Sequence, residues 1–169
     1  MSVEASPDVG DSFRATMATV ATPVCVVTTL VDGRPHGTTV SAFASLSLRP
    51  PMVLVALDGG SQLLGGLAPG QRFGVNLLTE GQASLAVAFA RKGEDRFAGV
   101  GWDDVEGVPR IDGPVGWLLC EVTELVPGGD HVVVLAAVLV AEPAPAAPLT
   151  YHERAFGTHR SHAETPPAG

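Results

Sequence analysis

Short valine-rich apolar runs recur along this chain, separated at intervals of roughly ten residues by clusters of Gly, Pro, Asp and Ser. β-branched residues pack well on a pleated surface, and runs this short are strands rather than buried helices. The pattern predicts strands at 24–31, 37–41, 52–57, 72–77, 116–125 and 131–142. Asp-Gly in VDGRPHG predicts a hairpin between the first two. Helix is the minority: a short one at 12–18, and helical character over 62–67 and 81–91, where Leu85, Ala86, Ala88, Phe89 and Ala90 form an incomplete apolar face. The tract AEPAPAAP at 141–148 predicts a stiff polyproline connector, and residues 1–10 and 159–169 read as disordered tails flanking one domain over 11–158.

The longest apolar run, 132–141, is too short to span a membrane and has Asp130-His131 directly before it. Taken alone, that pair reads as a polar turn opening a hairpin strand.

With 46% hydrophobic and 17% charged residues, a chain of 169 residues has ample material for one globular core. A net charge of -8 with ten scattered Lys and Arg argues against a nucleic-acid partner, which would need clustered cations. The amino terminus, MSVEASPDVGDS, lacks a cationic start followed by an apolar stretch, so the expectation is a cytoplasmic protein. Cys25 and Cys120 lie in apolar segments without CxxC or metal-ligand spacing and read as buried thiols, so neither a metal site nor thiol redox chemistry is expected.

Candidate chemistry is densest in GTTVSAFASLSLRPPMVLVALD, where Thr38, Thr39, Ser41, Ser45 and Ser47 offer hydroxyls and neighbouring amides to a planar polar ring or a phosphate, ahead of a Pro-Pro that predicts an extended exit. A half-exposed strand with polar alternation explains the same residues. No Ser-His-Asp order, carboxylate pair or metal cluster suggests hydrolysis, and no GxGxxG follows a strand to suggest a Rossmann domain.

That segment, followed by FGVNLL, FARKGEDRF, the GDH at 129–131 and PLTYHERAFG, resembles the flavin reductase-like family in order and spacing across about residues 12–157. The resemblance implies a mainly β fold, the FMN-binding split barrel: a Greek-key antiparallel β-barrel with a few short helices, assembled as a homodimer. It implies an NAD(P)H:flavin oxidoreductase that reduces FAD or FMN with NADH or NADPH by hydride transfer and releases reduced flavin to a partner monooxygenase. Its partners would be these small molecules and that monooxygenase, with neither nucleic acid nor membrane. A non-enzymatic flavin-storage protein of the same barrel is the alternative, and a relative acting on a deazaflavin or pyridoxamine phosphate is a third.

The resemblance implies flavin contacts at Thr39, Val40, Ser41, Ala42, Ser45, Leu46 and Ser47, with Asp58, Ser61 and Gln62 in a second flavin loop and Asn76 behind it. Lys92 and Arg96 would approach the flavin phosphate; a solvated turn with Lys92 paired to Glu94 or Asp95 is the bland reading. His131 would stand at the flavin edge as the catalytic residue where nicotinamide stacks, with Tyr151, Phe156 and Gly157 covering that face. The sequence departs from the family at Ala44, Arg49 and Phe156, where Thr, Asp and Tyr are frequent. Phe156 removes any role for a hydroxyl there, and Arg49 bears on the choice of flavin or nucleotide.

Overall fold

The computed structural model describes residues 7–93 and 95–161. Helix α1 (Pro7–Ala18) precedes a strand-rich body: β1 (Thr22–Pro23), β2 (Cys25–Val31), β3 (Arg34–Val40), β4 (Phe43–Leu48), β5 (Pro51–Asp58) and β6 (Arg72–Leu77). After α2 (Ala83–Ala90) come β7 (Trp102–Val105), β8 (Val108–Ile111), β9 (Gly116–Gly128), β10 (His131–Pro143), β11 (Leu149–His152) and β12 (Ala155–Thr158). No described helix is long and apolar enough to cross a membrane.

Seven strands form one antiparallel sheet in the order β3-β2-β6-β9-β10-β5-β4. Its two edge strands follow each other in the chain, joined through Ser41 and Ala42, so the sheet curls back on itself at that corner. The Ala56 amide donates to the Ala42 carbonyl at 2.9 Å and pins the corner to β5. The result is a barrel that is open, or split, where β3 and β4 part.

Two apolar clusters explain why β2 reads as a continuous hydrophobic run. Cys25 and Val27 point into the cluster with Val55, Phe73, Val75, Cys120 and Val134, while Val24 and Val26 point the other way into one with Phe89, Phe97, Ile111 and Leu149. A strand buried on both faces has no polar side to alternate. The Asp-Gly hairpin forms as expected, with Asp32 at φ 51° and Gly33 at φ 74°, the left-handed pair that a tight hairpin turn requires.

Several expectations are revised. Residues 7–10, assigned to a tail, are helical, and α1 starts at Pro7, where a proline without an amide hydrogen costs nothing. The segment 62–67 keeps only a 3₁₀ turn at Leu64–Gly66. β10 runs through Pro143, which shortens the proposed connector, and the rest of it is broken by a bridge from Pro148 to Thr79. Arg49 and Pro50 form the tight turn between β4 and β5, and the extended exit starts at Pro51, the first residue of β5. The hairpins β7–β8 and β11–β12 were not anticipated; each turns on left-handed residues, Glu106-Gly107 and Glu153-Arg154. Tail residues 1–6 and 162–169, and the suggested Glu94 partner of Lys92, lie outside the described residues.

Candidate active site

A cleft of about 180 Å³ opens at the split, walled by Thr38, Thr39, Val40, Ser41 and Ala42 on one side and Ala56, Leu57, Asp58 and Ser61 on the other, with His131 at its mouth. β3 pairs only with β2, so its other edge presents unpaired backbone N–H and C=O groups there. Hydroxyls and free backbone on one wall and aliphatic Ala56 and Leu57 on the other suit a planar group that is polar along its rim and apolar on its face. The volume is below the roughly 300–1,000 Å³ of sites that bury a small molecule whole, so one side of a bound ring stays open.

The β5–β10 pairing decides where His131 stands. Its Cα partner on β5 is Asp58, which places the imidazole beside the loop that follows β5. That loop is built by backbone bonding: Gly59 N–H donates to the Asp130 carbonyl (2.9 Å), Ser61 N–H to the Asp58 carbonyl (2.9 Å) and Gly60 N–H to Asp58 Oδ1 (2.7 Å). The Asp58 carboxylate therefore closes its own turn.

His131 Nδ1 lies 2.7 Å from Asp130 Oδ1. The hydrogen bond from His131, then its charge, hold the Asp130 carboxyl below its ordinary value. An ionised carboxylate only accepts, so Nδ1 carries the proton and Nε2 is the ring nitrogen left for another partner.

Other sequence candidates divide by location. Thr39 lines the cleft, but its hydroxyl donates to the Ala86 carbonyl at 2.6 Å and ties β3 to α2. Ser45, Leu46 and Ser47 lie along β4 and do not line the cleft; the Ser47 hydroxyl accepts the Arg49 amide at 3.2 Å within the tight turn. Asn76 is fully buried: it donates to the Val26 carbonyl (3.0 Å) and the Thr28 hydroxyl (3.1 Å) and accepts the Ile111 amide (2.8 Å), which joins three strands. Lys92 is exposed in the bend after α2, whereas Arg96 is half-buried and donates from Nη1 to the Gly37 carbonyl at 2.6 Å. With Gln62 it lines a second, larger cleft that takes in the β3 residues Arg34 to Gly37. Tyr151 and Phe156 pack against each other across β11 and β12 (ring centroids 5.2 Å apart), and with Gly157 they stand away from the His131 cleft.

Ala56 and Leu57 were missed, because alternation along β5 marks Leu57 only as an ordinary core position and Ala56 only as its neighbour on the opposite face. Burial pushes the Cys25 and Cys120 thiols up to about 12, so neither is a nucleophile at neutral pH. Among the described residues no group of three or more His, Cys, Asp or Glu is placed to hold a metal ion.

Residues 17–160 match the flavin reductase like domain. An NADH:riboflavin 5'-phosphate oxidoreductase of Streptomyces pristinaespiralis is 40% identical over 162 residues, covering 91% of each chain. The reductase component of a 4-nitrophenol 4-monooxygenase/4-nitrocatechol 2-monooxygenase from Rhodococcus opacus is 37% identical over 145 residues, 86% of this chain and 78% of that one. Among solved structures, the NADH:FAD oxidoreductase of Streptomyces globisporus C-1027, in complex with NAD and FAD fragments, superposes with a TM-score of 0.84 at 30% identity, over 98% of this chain and all of that one.

Proposed function

The chain belongs to the flavin reductase-like family, and on that premise we propose that it is an NADH:flavin oxidoreductase that hands reduced flavin to a monooxygenase component. The observation that carries this reading is the cleft at the split, walled by β3 and β5, with a polar edge on one wall and a fixed histidine at its mouth.

When bound, the flavin and nicotinamide supply the hydride chemistry, so the protein's part is binding and orientation. Thr38, Ser41 and the open β3 edge would hold the rim of the ring system, and Ala56 and Leu57 would support its face. Ser61, Gln62 and Arg96 would receive the ribityl phosphate, with Lys92 contributing charge from the nearby bend. His131, its Nδ1 proton held by Asp130, would present Nε2 toward the nicotinamide.

The same reading includes a homodimer. A single chain leaves its cleft shallow and its Tyr151–Phe156 hairpin apart from His131, while Val9, Phe13, Met17 and Val20 form an exposed apolar stripe on and just beyond α1. Leu48 on edge strand β4 is 84% exposed. A second copy would cover such surfaces and supply the missing wall; light scattering at micromolar concentration should give twice the chain mass.

Steady-state oxidation of NADH and NADPH, each with FMN and with FAD, tests the activity. Flavin-dependent loss of nicotinamide absorbance, faster with NADH, is expected. Tight flavin binding with no such loss would favour a storage protein.

A further inference from the structure

One wall of the cleft is an edge strand, and a strand with a single ladder partner is held less firmly than the strands behind it. Gly37 turns its carbonyl to the free side of β3, where Arg96 Nη1 donates to it at 2.6 Å. Backbone groups alternate between the two sides of an antiparallel strand, so Thr39, two residues on, also turns its N–H and C=O to the free side, into the cleft. Where those two groups stand is decided by whatever fixes Thr39.

Its own side chain does so. The Thr39 hydroxyl donates to the Ala86 carbonyl at 2.6 Å, toward the short end of the range for hydroxyl donors. Helix α2 is a firm support: Ala86 and Phe89 are fully buried beside Val24 and Val26, and Thr79 and Gln82 form a capping box just ahead of it. Phe89 meets Phe97 edge-on at 4.9 Å, and Phe97 meets Trp102 at 5.8 Å. Gly37 lets this aromatic ladder lie against β3, since a Cβ there would fall 2.6 Å from Phe89. Thr39 stands between the two backbone anchors of the free edge, the Gly37 carbonyl on Arg96 and the Ala42 carbonyl on Ala56. The Ala86 carbonyl does not need this hydroxyl, because inside α2 it already takes the helix's own bond from the Ala90 amide. The bond serves the strand rather than the helix.

We propose that Thr39 is a positioning residue: its hydroxyl, held by α2, sets the β3 backbone that receives the rim of the flavin, and does not itself touch the flavin. The proposal rests on the flavin-reductase reading and moves Thr39 from flavin contact to support.

The test compares Thr39→Val, which removes the hydroxyl and keeps the branched shape, with Thr39→Ser, which keeps the hydroxyl. Hydrogen–deuterium exchange of the full chain without ligand is measured beside titration with FMN and with FAD. In Thr39→Val the amides of residues 37–42 should exchange about three- to ten-fold faster before any ligand is added, and both flavins should bind about three- to ten-fold more weakly, the worth of one hydrogen bond. In steady state the loss should fall on the flavin KM rather than on kcat, because a bound ring holds the wall in place. Thr39→Ser should restore the parent values, and Thr39→Ala should repeat the loss if Thr39→Val packs poorly. Weaker flavin binding with unchanged exchange in β3 would put the hydroxyl on the flavin itself and overturn the proposal. Faster exchange across the whole chain with flavin affinity unmoved would overturn it as well, leaving a bond that serves stability alone. A parent chain that binds neither flavin would overturn the flavin-reductase reading, and the proposal with it.

Discussion

Replacing His131 by alanine is the sharpest test of the site. The substitution removes the imidazole and leaves the Asp130 carboxylate without its partner at the cleft mouth. The His131 side chain is 44% exposed, and the backbone pairing of His131 with Asp58 and Gly128 does not depend on it. The fold should therefore survive with a melting temperature within about 2 °C of the parent. Flavin affinity should be nearly unchanged, because the β3 wall and the loop after β5 are intact. Reduction of bound flavin by NADH should slow by roughly ten- to a thousand-fold, the range lost when a positioning or proton-handling group beside a reacting centre is removed. Anaerobic stopped-flow mixing of flavin-loaded protein with NADH measures this rate directly. Asp130→Asn should give a smaller defect, because an amide can donate as well as accept and no longer fixes which ring nitrogen carries the proton. The Asp130 carboxyl is held below its ordinary 3.8, so its ionised, paired form persists above that value and is lost only as pH falls through the lower folded value. The ratio of parent to Asp130→Asn rates should thus carry no step from Asp130 between about pH 5 and 8. A His131→Ala variant that reduces flavin at the parent rate would refute the reasoning and return the pair to an ordinary turn.

Three further outcomes follow from packing and burial. Gly37→Ala places a Cβ 2.6 Å from Phe89 and 3.3 Å from Phe97, and overpacking of this kind should cost about 1–3 kcal/mol; an unchanged thermal midpoint would show that the aromatic ladder yields. Asn76→Leu leaves the buried Ile111 amide without its acceptor and the Val26 carbonyl without its donor; urea unfolding should show a loss of about 2–4 kcal/mol. With their thiols raised from 9.0 to about 12, Cys25 and Cys120 should resist alkylation in the native protein at pH 8 and react once it is unfolded. Because the unfolded thiols ionise first, stability should fall as pH rises from about 9 toward 12; alkaline unfolding curves of the parent and a Cys25→Ala variant measure this, and rapid native labelling would contradict the burial.

Local physics was legible in the residues themselves. Valine-rich runs of strand length, an Asp-Gly turn and a short apolar stretch around Phe89 determine β2, β3, β5, β6, β9, β10 and α2, because steric preference and alternation act between near neighbours. The Asp130-His131 pair was also visible, being adjacent in the chain. What stands opposite His131 was not: Asp58 is brought there by the register of β10 on β5, which is decided by burial across the whole barrel. Tertiary structure likewise made Asn76 a tie between three strands, turned the Thr39 hydroxyl toward α2, and carried Ser45, Leu46 and Ser47 onto edge strand β4 away from the cleft. It also set Arg34, His36 and Trp102 along one groove, although no local pattern links them. Alternation says which residues share a face of a strand; which strands lie side by side is decided only when the sheet closes and its apolar faces are buried together.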